Sequence, residues 1–121
     1  LGSTYIGGSG NDGLSYTVTG ASSNYGSASA YDSITVNYGD QFRGEIMLDE
    51  NENCLIASST RSSNFPTVNP IQAAKSGGQD GVIIKLSNDL STLLFSTYFG
   101  GSQNDACYSI KVDSSQNILV S

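Results

Sequence analysis

The stretch "GEIMLDENENCLIA", Gly44 to Ala57, decides how this chain is read, because it returns as "YSIKVDSSQNILVS", Tyr108 to Ser121, at an offset of 64 residues. Ile46 lies over Ile110, Asp49 over Asp113, Asn53 over Asn117 and Leu55 over Leu119. In each copy a short apolar run meets a polar turn, "DENEN" or "DSSQN", and a second apolar run follows. This is the pattern of a β-hairpin. An aspartate at the head of such a turn accepts hydrogen bonds from the turn's own N–H groups, and an asparagine tolerates the left-handed backbone that closes the loop. The sequence assigns the first role to Asp49 and Asp113 and the second to Asn53 and Asn117.

A second self-match lies further apart. "STYIGGSGND", Ser3 to Asp12, returns as "STYFGGSQND", Ser96 to Asp105, at an offset of 93 with eight of ten positions identical. The two offsets differ by 29 residues, which fall between Asp12 and Gly44 and are read as an insertion. Residues 1–12 then close one repeat unit, 13–40 form a Tyr/Ser/Gly-rich insertion, 41–104 are one complete unit, and 105–121 begin the next. Strand-built periods of this size signal stacked units that cannot bury their faces alone.

Each unit holds two more strand-like runs, "GVIIKLS" at Gly81 to Ser87 and "TLLFSTYFGG" at Thr92 to Gly101, joined by "NDLS". Strands are expected at Ile46 to Leu48, Cys54 to Ala57, Val82 to Leu86 and Leu93 to Tyr98, four per unit. A sheet with one wet face alternates apolar and polar residues, whereas near-continuous apolar runs mean cover on both sides. Four-stranded antiparallel sheets stacked face to face around an axis are β-propeller blades, so the expected class is all-β, a fragment of a larger propeller. A β-solenoid is the alternative.

Composition bounds the function. Charged residues make up 13% of 121, Gly is 14, and the formal charge is −6 with five Lys plus Arg. That balance argues against nucleic acid and anionic membrane surfaces as partners, and no run of eighteen apolar residues calls for membrane insertion. Turn-rich, charge-poor composition suits an extracellular chain. The two cysteines occupy different repeat positions, so both are read as free, with Cys54 a small core hydrophobe.

"GGSGND", Gly7 to Asp12, spells the Gly-Gly-x-Gly-x-Asp repeat of calcium-binding β-rolls, which recurs every nine residues, but no neighbouring copy follows and Gln103 replaces its third glycine in the distant one. "DENEN" resembles the opening of a calcium loop, yet Cys54 stands where the bend glycine belongs and Thr60 where a bidentate glutamate belongs. Both are read as turns, with Asn11, Asp12 and Asn104, Asp105 bonding their own backbone. No metal, cofactor or catalytic residue is assigned. The chain lacks histidine, its carboxylates form no recognisable constellation, and without Trp the sialidase-type box is missing. The alternatives kept open are a calcium-binding structural repeat and a blade segment of a carbohydrate-active enzyme whose paired carboxylates come from other blades.

"STYxGGSxND", "SIKVDSSQNILVS", "TRSSNFPT", "GGQDGVIIKLS" and "LLFSTYFGG" together resemble the SBBP-type β-propeller repeat of secreted and cell-surface bacterial proteins, notably of the Bacteroidota. The resemblance covers Ser3 to Asp12 and Arg43 to Ser121. It implies a propeller of several blades in a long exported protein, often one using type 9 secretion, and it brings no catalytic set. The insertion, Cys54 and "DENEN" in place of a Gly-Asn turn depart from the pattern.

Two further positions are read from the repeat. Tyr5 and Tyr98 share one repeat position and are expected to pack between blades, and "NFPT", Asn64 to Thr67, is expected to be a loop pinned by Phe65. The insertion places Tyr16, Tyr25, Tyr31 and Tyr38 among Ser, Gly and Asn, rigid amphipathic anchors amid adaptable polar groups. Its ends, "SYTVTG" and "DSITVNYG", alternate as strands and suggest a projecting hairpin. These tyrosines are the candidate ligand-binding residues. The expectation is a non-catalytic extracellular or outer-surface scaffold for adhesion or for glycan or protein binding, with adjacent blades of the same parent chain as its partners.

Overall fold

A computed structural model describes residues 2–10, 12, 16–18, 28–30 and 44–121. Among these, strands β1 (Tyr16–Val18), β2 (Ala28–Ala30), β3 (Glu45–Leu48), β4 (Cys54–Thr60), β5 (Asp80–Leu86), β6 (Leu93–Phe99), β7 (Ile110–Val112) and β8 (Ile118–Val120) follow in order, with no helix. Strands β3-β4-β5-β6 form one antiparallel sheet in sequence order, and β1-β2 and β7-β8 form two-stranded sheets. The described residues are therefore all-β, and each of the four strands expected in the unit is present. The β4–β5 ladder is the backbone of the sheet, running from Cys54 opposite Leu86 to Thr60 opposite Asp80. β6 follows β5 from Gly81 opposite Phe99 down to Lys85 opposite Phe95, then shifts register so that Leu86 meets Leu93.

The alternation of side chains across the pleat gives the sheet two apolar faces. On the front, Cys54, Val82, Ile84, Leu86 and Tyr98 are buried with Phe65, and Ile6, Ile56, Leu90 and Leu93 lean against them. On the back, Leu55, Ala57 and Ile83 are buried with Cys107 and Ile110, flanked by Met47, Phe95, Val112 and Val120. The β7–β8 hairpin of the second repeat is thus laid on the back of the first repeat's sheet. Burying a side chain such as Leu55 or Ile110 contributes roughly 1.5–3 kcal/mol, so this junction outweighs any single polar contact nearby. Gly81 makes room for it, because a Cβ there would collide with the Cys107 sulfur. Cys54 and Cys107 are unpaired and lie on opposite faces.

The two hairpin loops agree bond for bond. In the first, the Asp49 carboxylate accepts the N–H groups of Asn51 and Asn53 and the Asn53 side-chain amide, at 2.9, 2.9 and 3.1 Å. In the second, Asp113 accepts from Ser115, Asn117 and the Asn117 amide at 2.8, 2.8 and 2.9 Å. The aspartate roles are as expected, but the left-handed residue is not. Positive φ falls on Glu52 (62°) and Gln116 (64°), one position before each asparagine. The reason is that each asparagine is tied by both its N–H and its side chain to the aspartate, and its carbonyl accepts the N–H of Asp49 or Asp113, so the preceding residue takes the turn.

In the insertion, β1 pairs antiparallel with β2, Tyr16 opposite Ala30. Of the expected hairpin, β1 falls within the "SYTVTG" end and is paired with Ala28–Ala30, and the "DSITVNYG" end lies outside the described residues. Among the described residues no helix is long and apolar enough to cross a membrane.

Candidate functional site

At one end of the sheet β4 and β6 finish and β5 begins, and there the polar side chains gather. Asp12 bridges to Thr60 as an isolated antiparallel pair. One of its carboxylate oxygens accepts the Gly8 N–H at 2.7 Å, and the other accepts the Ser62 hydroxyl at 2.8 Å and the Thr60 hydroxyl. Ser62 in turn accepts the Gly10 N–H at 2.8 Å, and Asn64 accepts the Ser9 N–H at 2.8 Å. Asp105 repeats the first of these bonds, taking the Gly101 N–H at 2.8 Å. The glycines before these donors are required by close approach: a Cβ on Gly7 would meet the Asp12 carboxylate at 2.8 Å, and one on Gly100 the Asp105 carboxylate at 3.0 Å. The "GGSxND" motif is a turn organised by its own aspartate, as expected for Asp12 and Asp105.

Asp80, fully buried, does similar work for the loop ahead of β5. It accepts the N–H groups of Ser76 and Gly77 at 3.0 and 2.9 Å and the Gln72 amide at 2.8 Å. Gln72 also ties across to β6, receiving the Gly100 N–H at 3.1 Å and donating its own N–H to the Thr97 hydroxyl at 2.9 Å.

Tyr98 locks the "NFPT" loop. Its hydroxyl donates to the Ser62 carbonyl and accepts the Phe65 N–H, both at 2.9 Å, and its ring meets Phe65 edge-on at 6.3 Å. Phe65 is buried, so the loop is pinned as expected. Tyr5, at the same repeat position, is instead fully exposed. The common packing role expected for the pair is therefore corrected: Tyr98 is buried and bonds Ser62 and Phe65 of the unit it belongs to, whereas the Tyr5 ring is open to solvent.

At the opposite end Asp49 pairs with Lys85 at 2.6 Å. Burial opposes its ionisation, but Lys85 and the turn's N–H donors outweigh that and hold its carboxyl far below the usual range. Asp89 is lowered to about 2 by the Ser87 hydroxyl and by the Ser91 N–H and hydroxyl. At the junction between repeats, Glu45 accepts the Ser109 hydroxyl at 2.6 Å and the Ile110 N–H at 2.7 Å and pairs with Lys111. Lys111 first, then Ser109 and Ile110, bring its carboxyl down to about 2. Burial and the neighbouring Asp105 push the Cys107 thiol up to about 11, so it sits in the core as a neutral group.

Chemically, these carboxylates are committed to backbone and side-chain donors, either of their own turns, as with Asp89, Asp105 and Asp113, or also of a neighbouring strand or loop, as with Asp12, Glu45 and Asp49. Among the described residues no group of three or more His, Cys, Asp or Glu could hold a metal ion. Of the candidate ligand-binding tyrosines, the Tyr16 backbone lies in β1, while Tyr25, Tyr31 and Tyr38 lie outside the described residues. Two described residues on either side of residues 13–40 lie beside one strand, β4: Asp12 pairs with Thr60, and Gly44 lies against the Ala57 carbonyl. Sequence reasoning missed Thr60, Ser62, Gln72 and Asp80; the signal for Asp80 was available in "SGGQD", a glycine-rich run of N–H donors before a carboxylate, like "GGSxND".

Compared with protein-family models, curated proteins and solved structures, the chain matches none.

Proposed function

We propose that this chain is part of a non-catalytic β-propeller scaffold of the extracellular space or outer cell surface, serving adhesion or the binding of a glycan or protein ligand. The observation that carries the reading is the recurrence of two turn structures with the same bonds, Asp12 with Asp105 and Asp49 with Asp113, together with the second hairpin seated on the first sheet. Units that repeat this closely and cover each other's faces suit a rigid framework. The non-catalytic part is supported by the engagement of Asp12, Glu45, Asp49, Asp80, Asp89, Asp105 and Asp113 in holding turns and junctions. The variable element is the insertion, and its tyrosines Tyr16, Tyr25, Tyr31 and Tyr38 are the proposed contact residues.

The test is deletion of residues 13–40 followed by binding to a glycan array and to host-surface proteins. The expected outcome is unchanged melting with lost binding, and tyrosine-to-alanine changes should reproduce the loss. Binding that survives the deletion would make the insertion a mere decoration.

A further inference from the structure

Ile46 and Leu48 are 65% and 58% exposed on the front of β3, beside Ile56 and Cys54 of β4. Their repeat equivalents are Ile110 and Val112, and Ile110 is 0% exposed. What covers Ile110 is the back of a sheet, formed by Leu55, Ala57 and Ile83. The same position is therefore buried in one unit and bare in the other, and the difference is a neighbouring sheet.

A second observation lies on the same face. Residues 3–8 are the repeat equivalent of the second half of β6 and its following glycines, Ser96 to Gly101, and they run the length of the front. Gly2 abuts the Asp89 carbonyl in the β5–β6 turn, Ile6 packs on the front core, and Gly10 bonds Ser62 beyond the end of β4. The segment equivalent to the last strand of a unit, not itself paired as a strand here, thus lies over this sheet, with nothing among the described residues continuing it toward β3.

We infer that the bare front of β3, at Ile46 and Leu48, with the half-buried Ile56 of β4 beside it, is the seat for the first three strands of another unit of this repeat, whose fourth strand is the 3–8 segment and whose back presents residues equivalent to Met47, Leu55, Ala57 and Ile83. This rests on the repeat reading proposed above and adds a direction to it: front meets back, a heterologous contact that either closes into a ring or continues as an open stack. Both ends of the described chain agree, since β7 lies over β3 and β4 at the back junction, and the inferred strand would lie over them at the front.

The test keeps the full chain and duplicates residues 44–95 between Gly2 and Ser3, so that the 3–8 segment completes the added sheet. Leu48→Cys in the original unit is labelled with a maleimide and mapped by mass spectrometry; Leu119→Cys, exposed on the far side of β8, is the control. Labelling of Leu48→Cys should slow by about tenfold or more in the extended chain, because a buried thiol is protected, while Leu119→Cys stays unchanged. Added strands that resist hydrogen exchange with undiminished Leu48→Cys labelling would overturn the inference and leave the repeat reading standing. Added strands that exchange as unfolded chain would overturn both.

Discussion

Asp49 and Asp113 have the same bonds but different surroundings. Asp49 is buried and also faces Lys85, whereas Asp113 is more open and its contacts are those of its own turn. Removing a buried charged acceptor strands its donors, so Asp49→Ala should cost about 1–3 kcal/mol in urea unfolding, and Asp113→Ala should cost clearly less. Equal losses would mean that Lys85 and burial add nothing to the turn. Tyr98→Phe leaves the Ser62 carbonyl and the Phe65 N–H unpaired in the core, which should also cost about 1–3 kcal/mol. The aspartate roles were legible because the repeat keeps them in register with glycines or turn residues. The left-handed position was not, because asparagine's tolerance of positive φ says nothing about whether its side chain is already tied, as Asn53 and Asn117 are to their aspartates.

At the scale of elements, the strands of the four-stranded sheet could be read because apolar runs and turn clusters alternate along 44–101. The β1–β2 pairing could not, because Ala28–Ala30 alternates only alanine with serine, too small and weakly apolar a pattern to stand out from the Ser/Gly-rich run around it. The junction between β3 and β7 was equally hidden: Glu45 shows no pattern in sequence, yet it clasps Ser109, Ile110 and Lys111. Its folded carboxyl sits at about 2, below the ordinary 4.5. A carboxyl depressed in this way stabilises the fold fully above its unfolded value and loses that contribution as pH falls toward its folded value. The melting temperature should therefore decline between the ordinary glutamate range and about pH 2, and Glu45→Gln should make the decline shallower. A Glu45→Gln profile that runs parallel to the parent's would show that the clasp is not felt by the folded state.

For the whole molecule, the sequence made it legible that both sheet faces need cover, but not which face has it. Ile46 and Ile110 are the same letter at the same repeat position, and their exposures of 65% and 0% depend only on a neighbouring sheet. The bare front should drive association at high concentration, as apolar patches do, and Ile46→Ser with Leu48→Ser should suppress it in light scattering without lowering the melting temperature. The decisive contact is the β7–β8 hairpin held against the sheet of the unit before it. The measurement is the urea-unfolding free energy, in dilute solution, of Ile110→Ala beside Ile46→Ala. Ile110→Ala should lose about 2–5 kcal/mol and Ile46→Ala under about 1 kcal/mol; losses of equal size would mean that the neighbouring sheet does not hold the hairpin.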